Sequence, residues 1–259
     1  MKISARRAFV KRFIVLALTP LGLCDYSHAQ AADLIVSAAS SLTNAFTALG
    51  QSFETTHPGT KVLLNFGASD ALMMQIINGA PADVFASADQ VAMDKAVALK
   101  GVVGTSRQDF ALNQVVVIAP SDGQLQIKEL KELASPSVKN VTFGNPASVP
   151  IGRYAQAALE AAGQWDVVSA KAILAQNVRQ SLDYVVRGEV DAGFVFATDA
   201  ALAGDRVRVT YRVTSARPVS YPIAVTSTTR QPDIAQEFVN YVVSPAGQSV
   251  LAKYGFLKP

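Results

Sequence analysis

The 259 residues carry 23 Lys+Arg against 20 Asp+Glu, half of them are apolar, and there is one cysteine. The basic excess belongs to the amino end. Lys2, Arg6, Arg7, Lys11 and Arg12 precede an apolar run from Phe13 to Cys24, and small residues then offer cleavage near Ala29 to Ala31. That is the layout of an export signal over residues 1–31. Without it Lys+Arg fall by five to 18 and Asp+Glu lose only Asp25, leaving 19, so the net charge is about −1. The electrostatic case for a nucleic-acid partner goes with the signal. Cys24 leaves too, which excludes a disulfide or thiolate chemistry in the remainder.

The stretch Arg6-Arg7-Ala8-Phe9-Val10-Lys11 resembles a twin-arginine signal, and the mature chain is expected in the periplasm. The roughly 230 residues that follow suit one or two domains. Strand-like and helix-like runs alternate, which predicts an α/β fold with mainly parallel sheets. Leu34 to Ser37 reads as a strand. After the small-residue loop Ala38-Ala39-Ser40-Ser41, the spacing of Leu42, Ala45, Phe46, Leu49 and Phe53 predicts a helix ended by His57-Pro58-Gly59. Lys61 to Phe66 is the next strand. A helix with Ser69 as N-cap and Gly79 at its end follows, then a strand Asp83 to Ala86, the cap candidate Asp89 and a helix Val91 to Leu99.

Gln114 to Pro120 is a near-continuous apolar strand, as expected when both faces are covered. Ile127 to Leu133 reads as a short helix and Val141 to Phe143 as a strand. Pro150 opens a helix at the position where its missing N–H is harmless, and Asn177 caps another with the stripe Val178, Leu182, Val185 and Val186. Strands are expected at Asp191 to Phe196, Val207 to Thr210 and Tyr221 to Val225. Two helices close the chain, Pro232 to Val243 and Pro245 to Tyr254.

Four of these helix starts share one chemistry. Ser41, Ser69, Ile151 and Val178 each stand where backbone N–H groups are unpaired and the helix end is positive, and two of them add a hydroxyl. One such junction is most simply a cap. Four of them can hold an oxyanion without any lysine or arginine, provided the loops after the strands converge, as they do in open α/β sheets.

The segments VSAASSLTNAF, FGASDALMMQIINGAPADVFASADQ, QVVVIAP, VPIGRYAQAAL, NVRQSLDYVVRGEVDAGFVFATDAA, YPIAV and GQSVLAKYGF occur in this order from Leu34 to Phe256. Together they resemble the periplasmic molybdate-binding proteins of molybdate ABC importers. The resemblance implies a two-lobed clamshell, the type II periplasmic binding protein fold, with two crossings between lobes. One lobe is expected from residues 32–112 and 220–259, the other from 113–219. It also implies that Ser41 and Ser69 each supply a hydroxyl and an N–H, and that Ile151 and Val178 each supply an N–H, to molybdate or tungstate. The implied partners are an inner-membrane ABC permease and its cytoplasmic ATPase, with the receptor a monomer and without a cofactor or a cation site.

This chain departs from the pattern at Phe196, where the resemblance calls for a tyrosine whose hydroxyl reaches the anion. The loss of such a bond to a charged group costs about 1–3 kcal/mol, so recruitment of Ser40 or a water, weaker binding or a different oxyanion is the alternative. Asp70 is expected to serve the start of its helix, and Arg153 and Arg179 to form surface or interlobe ion pairs. Trp165 reads as packing and His57 as a turn residue. Asp83 and Asp89 suit cap and loop roles better than metal ligation. A serine hydrolase is the competing class. It fails on chemistry, because His57 is the only histidine after the signal and no GxSxG elbow is present.

Overall fold

The computed structural model describes residues 32–215 and 217–259. The export segment read over residues 1–31, with its twin-arginine-like stretch and cleavage sites, lies outside the described residues. Three strand–helix units come first. Strand β1 (Ala32–Ala39) passes through a 3-10 turn, Ser40–Leu42, into α1 (Thr43–Thr56). Strand β2 (Thr60–Gly67) leads to α2 (Ser69–Ile77), and β3 (Val84–Ala86) to α3 (Gln90–Ala98). Strands β4 (Gln108–Asn113) and β5 (Val115–Pro120) are separated by one residue.

A second group of strand–helix units repeats the pattern. It contains β6 (Val141–Gly144), α4 (Pro150–Ala161), α5 (Trp165–Ser169), β7 (Ala172–Ala175), α6 (Val178–Val186), β8 (Ala192–Phe196), α7 (Ala197–Ala203) and β9 (Val207–Arg212). The chain ends with β10 (Val219–Val225), α8 (Pro232–Val243) and α9 (Pro245–Lys253).

The strands form two five-stranded sheets, ordered β2-β1-β3-β10-β4 and β7-β6-β8-β5-β9. Both sheets are mixed rather than mainly parallel. The chain passes from the first sheet to the second between β4 and β5, and returns between β9 and β10. In the first sheet β1 runs parallel to β2 and β3, whereas β10 runs antiparallel to β3 and β4. In the second, β6 is parallel to β7 and β8, and β5 is antiparallel to β8 and β9. The strand that enters each sheet after a crossing, β5 in the second and β10 in the first, therefore runs against the direction of that sheet's βαβ core.

Burial follows the sequence pattern. Val115 to Ala119 are fully buried along β5, which lies between two neighbours and is covered on both faces. Helix α1 buries Ala45, Phe46, Leu49 and Phe53 on one side. There Phe53 meets Phe238 edge to face at 5.2 Å, and Phe46 meets Phe110 at 5.6 Å. Each such side chain removed from water contributes about 1.5–3 kcal/mol. Under the second sheet Phe143 packs on Phe194 at 6.1 Å and on Trp165 at 5.7 Å, the packing role expected of that tryptophan. Tyr221 of β10 joins the two regions, with its ring 6.2 Å from Phe110 and 5.6 Å from Phe196.

Several local expectations need correction. Ser69 does not cap α2: the N-cap is Ala68, and Ser69 is the first helical residue. Ser41 lies inside the 3-10 turn ahead of α1, so it precedes that helix rather than starting it. Asp70 stands one position further into α2 than a first helical residue and is turned to charged partners. The expected helix Ile127 to Leu133 is a 3-10 turn, Leu130–Ala134. Strands β4 and β7, which the sequence did not mark, are edge strands in their sheets. His57 follows α1 as expected, stacked on Phe53 at 3.7 Å.

Candidate functional site

A small cavity lies at the carboxyl ends of β1, β2 and β8 and at the starts of α2, α4 and α6. All five residues singled out from the sequence line it: Ser41, Ser69, Ile151, Val178 and Phe196. Ser40 lines it as well, and so do Ala68 and Asn177, the residues just before α2 and α6. Ser41 and Ser69 come from segments that follow strands of the first sheet, Ile151 and Val178 from segments of the second. The cavity therefore sits between the two halves.

The helix starts decide which N–H groups are left over. At α4, Pro150 has no N–H, and Gly152 and Arg153 both donate to the Val149 carbonyl, at 3.0 and 3.3 Å. Ile151 is the member of that first turn whose N–H remains for the cavity. At α6 the Asn177 side chain caps as expected, accepting from Arg179 N at 2.9 Å and Gln180 N at 3.1 Å. That leaves the N–H of Val178. Helices of nine, nine and twelve residues stand behind Ser69, Val178 and Ile151, so three positive ends face one small volume.

The hydroxyls of Ser69 and Ser41 are held by partners in the protein. Ser69 Oγ accepts from Ala88 N–H at 3.0 Å. Ser41 Oγ lies 3.2 Å from Tyr221 Oη. Ser40 Oγ is buried and, among the described residues, has no hydrogen-bond partner. A buried polar atom left without a partner costs about 1–3 kcal/mol, which a ligand at this wall would relieve. Phe196 presents only carbon, packed 6.1 Å from the Tyr154 ring.

Among the described residues, no charged residue lines the cavity. The nearby arginines serve other carboxylates. Arg153 on α4 donates through Nε to Asp89 Oδ2 at 2.7 Å and through a terminal nitrogen to Asp70 Oδ2 at 2.6 Å. Lys95 Nζ takes the other Asp70 oxygen at 2.8 Å. Burial opposes the Arg153 charge, but its bonds to Asp89 and Asp70 outweigh that and raise its pKa. Asp89 still caps α3, accepting from Ala92 N. Asp70 therefore belongs to a buried ion cluster and not to the helix start alone.

Arg179 makes the second bridge, from Nε to Asp199 Oδ1 at 2.6 Å and from a terminal nitrogen to Asn44 Oδ1 of α1 at 3.1 Å. Burial pushes the Asp199 carboxyl up to about 6 despite this arginine. Asp83 acts as a loop anchor, accepting from Ile35 N–H at 2.8 Å and from the Thr229 hydroxyl at 2.6 Å. The sequence foresaw ion pairs for both arginines. It gave no signal for their partners, nor for Tyr221 and Asn113 beside Ser41, because those contacts join residues far apart in the chain.

The model of the bacterial extracellular solute-binding protein family matches residues 34–257. The chain belongs to this family. Among relatives of this solute-binding protein, the molybdate-binding protein ModA of Escherichia coli is 36% identical over 233 residues, covering 86% of this chain and 88% of the relative. ModA of Mycobacterium tuberculosis is 36% identical over 231 residues, with 88% and 86% covered. The solved periplasmic molybdate-binding protein of Azotobacter vinelandii superposes with a TM-score of 0.78 at 24% identity, covering 87% of this chain and 99% of that one. At that identity the superposition speaks for the fold, which is the two-sheet fold of the type II periplasmic binding proteins.

Proposed function

We propose that this solute-binding protein is a periplasmic receptor that binds molybdate in the cavity between its two halves and delivers it to an ABC importer. The observation that carries the reading is the wall of the cavity. It holds left-over N–H groups of Ile151 and Val178, the hydroxyls of Ser40, Ser41 and Ser69, and no charged side chain. Such a wall suits a desolvated oxyanion held by hydrogen bonds and helix ends. The names of the relatives at 36% identity point to molybdate among oxyanions. Tungstate, of the same charge and shape, is proposed as a second ligand.

In this reading residues 32–112 with 220–259 form one lobe and residues 113–219 the other. The anion touches both and favours the closed arrangement by its differential affinity. The protein acts as a monomer, without a cofactor and without catalysis, and docks on an inner-membrane permease driven by a cytoplasmic ATPase. Export by the twin-arginine route with cleavage near Ala29 to Ala31 is part of the proposal. A second reading keeps the fold and takes a different oxyanion. Its specific support is Phe196, which brings carbon to the wall at the position where the resemblance calls for a tyrosine hydroxyl.

Ser69→Ala tests the site. It removes a hydroxyl at the wall and leaves Ala88 N–H without its acceptor. The expected result is a molybdate affinity lower by about tenfold, the effect of one hydrogen bond to a charged group. An unchanged titration curve would take Ser69 out of the site.

A further inference from the structure

The proton of the Ser41 hydroxyl has a direction that can be worked out from its neighbours. Asn113 Oδ1 accepts from the Gln114 backbone N–H at 2.9 Å, and a backbone N–H can only donate. The amide oxygen is thereby assigned, so the amide nitrogen is the atom that faces Thr198 Oγ1 at 2.9 Å and Tyr221 Oη at 3.2 Å. An amide nitrogen only donates. Tyr221 Oη must accept from it, and the single phenolic proton is then free for the remaining polar neighbour, Ser41 Oγ at 3.2 Å. Ser41 Oγ accepts that proton and keeps its own for the cavity that Ser41 lines.

Tyr221 is fully buried, and burial together with the charge of Asp199 raises its pKa well above the ordinary value, so the phenol keeps the proton it donates. Ser69 has a parallel arrangement, accepting from Ala88 N–H and so presenting its own proton.

We propose that Asn113 and Tyr221 are positioning residues for ligand discrimination: they lock the Ser41 hydroxyl as a donor, so that the cavity accepts a fully deprotonated oxyanion and rejects one that carries a proton. The inference rests on the proposed reading of the cavity as an oxyanion site. With Ser41 and Ser69 locked as donors beside the N–H groups of Ile151 and Val178, a protonated oxyanion such as hydrogenphosphate meets donors with its own O–H at those positions; among the described residues of the wall, Ser40 Oγ is the hydroxyl left without a partner. Removal of the Tyr221 hydroxyl frees Ser41 to rotate and to accept. Two changes follow: molybdate loses an aligned donor, and hydrogenphosphate gains an acceptor. Both crossings between the sheets contribute to the lock, Asn113 at the end of β4 and Tyr221 in β10.

The test is a double-mutant cycle read by calorimetric titration of the chain purified after export, with molybdate and with phosphate at neutral pH. Tyr221→Phe is expected to weaken molybdate about tenfold. It should narrow the preference for molybdate over hydrogenphosphate by more than that. In a Ser41→Ala background the same substitution should cost nothing further, because the hydroxyl it aligns is gone. Asn113→Asp, which puts an acceptor where the donor was and draws the Tyr221 proton away from Ser41, should reproduce the loss if Tyr221→Phe does not fold.

An equal loss in the Ser41→Ala background, or a preference for molybdate that does not narrow, would mean that Tyr221 acts through packing and would overturn the inference alone. If the wild-type chain takes sulfate or tungstate but not molybdate, the molybdate reading falls and the same cycle is read with the ion that binds. A chain that takes none of these ions overturns both.

Discussion

Arg153→Met is expected to weaken molybdate binding about a hundredfold or more and to leave the two halves apart in solution. Arg153 stands on α4, beside the second sheet, and its partners Asp70 and Asp89 stand on or next to α2 and α3, beside the first. Both carboxylates are nearly sealed from water, 5% and 3% exposed. Loss of one partner from a buried ion pair costs about 3–5 kcal/mol, because the charge left behind is neither solvated nor paired. Lys95 still holds Asp70, but Asp89 keeps no cation, only its cap bond from Ala92 N–H and a long bond from the Ser87 hydroxyl at 3.5 Å among the described residues. The halves can recover that cost by opening and letting water reach the carboxylates. Opening spends the differential affinity that the anion would otherwise supply. Titration calorimetry gives the affinity, and small-angle scattering with saturating ligand gives the shape. Wild-type affinity together with an unchanged radius of gyration would show that the cluster is not needed to hold the halves together.

Gly152→Ala should damage the site as well, through sterics instead of charge. A Cβ at this position would lie 1.9 Å from the Gly144 carbonyl oxygen, 2.6 Å from its carbon and 2.8 Å from Pro146 N. All three are backbone atoms, so no side-chain rotation relieves the clash. The start of α4 has to retreat from the end of β6, and Ile151 N–H, one residue earlier, leaves the cavity wall with it. Overpacking of this kind costs about 1–3 kcal/mol and occasionally more, which for a chain of this size lowers the melting temperature by roughly 2–12 °C. Molybdate affinity should fall by more than tenfold even under conditions where the variant is folded. A melting curve and a titration that both match wild type would contradict the close approach of α4 to β6.

The parts of the site that were legible in the sequence are the local ones. Pro150 at a helix start and Asn177 before an apolar stripe announce which N–H groups will be left over, because both effects are decided within four residues. Ser69 shows the limit of that reasoning. A serine before a helix looks like a cap, but Ala68 takes the cap position and the Ser69 hydroxyl turns to Ala88, nineteen residues away. The same limit explains Asp70, whose partner Arg153 is 83 positions distant, and Tyr221, whose partner Ser41 is 180 positions distant. No periodicity encodes such pairs.

Among strands, the buried run Val115 to Ala119 was plain. Edge strands were harder. In β7, Ile173 and Leu174 are partly exposed, 37% and 49%, and the segment carries neither alternation nor a flanking turn signal. The mixed character of the sheets was out of reach for a related reason. The direction of β5 and β10 depends on where the chain crosses, which is a property of the whole topology.

Calorimetric titration of the wild-type chain, purified after export, with molybdate, tungstate, sulfate and phosphate tests the central claim most directly. Tight one-to-one binding of molybdate and tungstate is expected, with sulfate weak and phosphate silent. Binding of sulfate or phosphate in preference to molybdate, or no heat with any of the four, would contradict it.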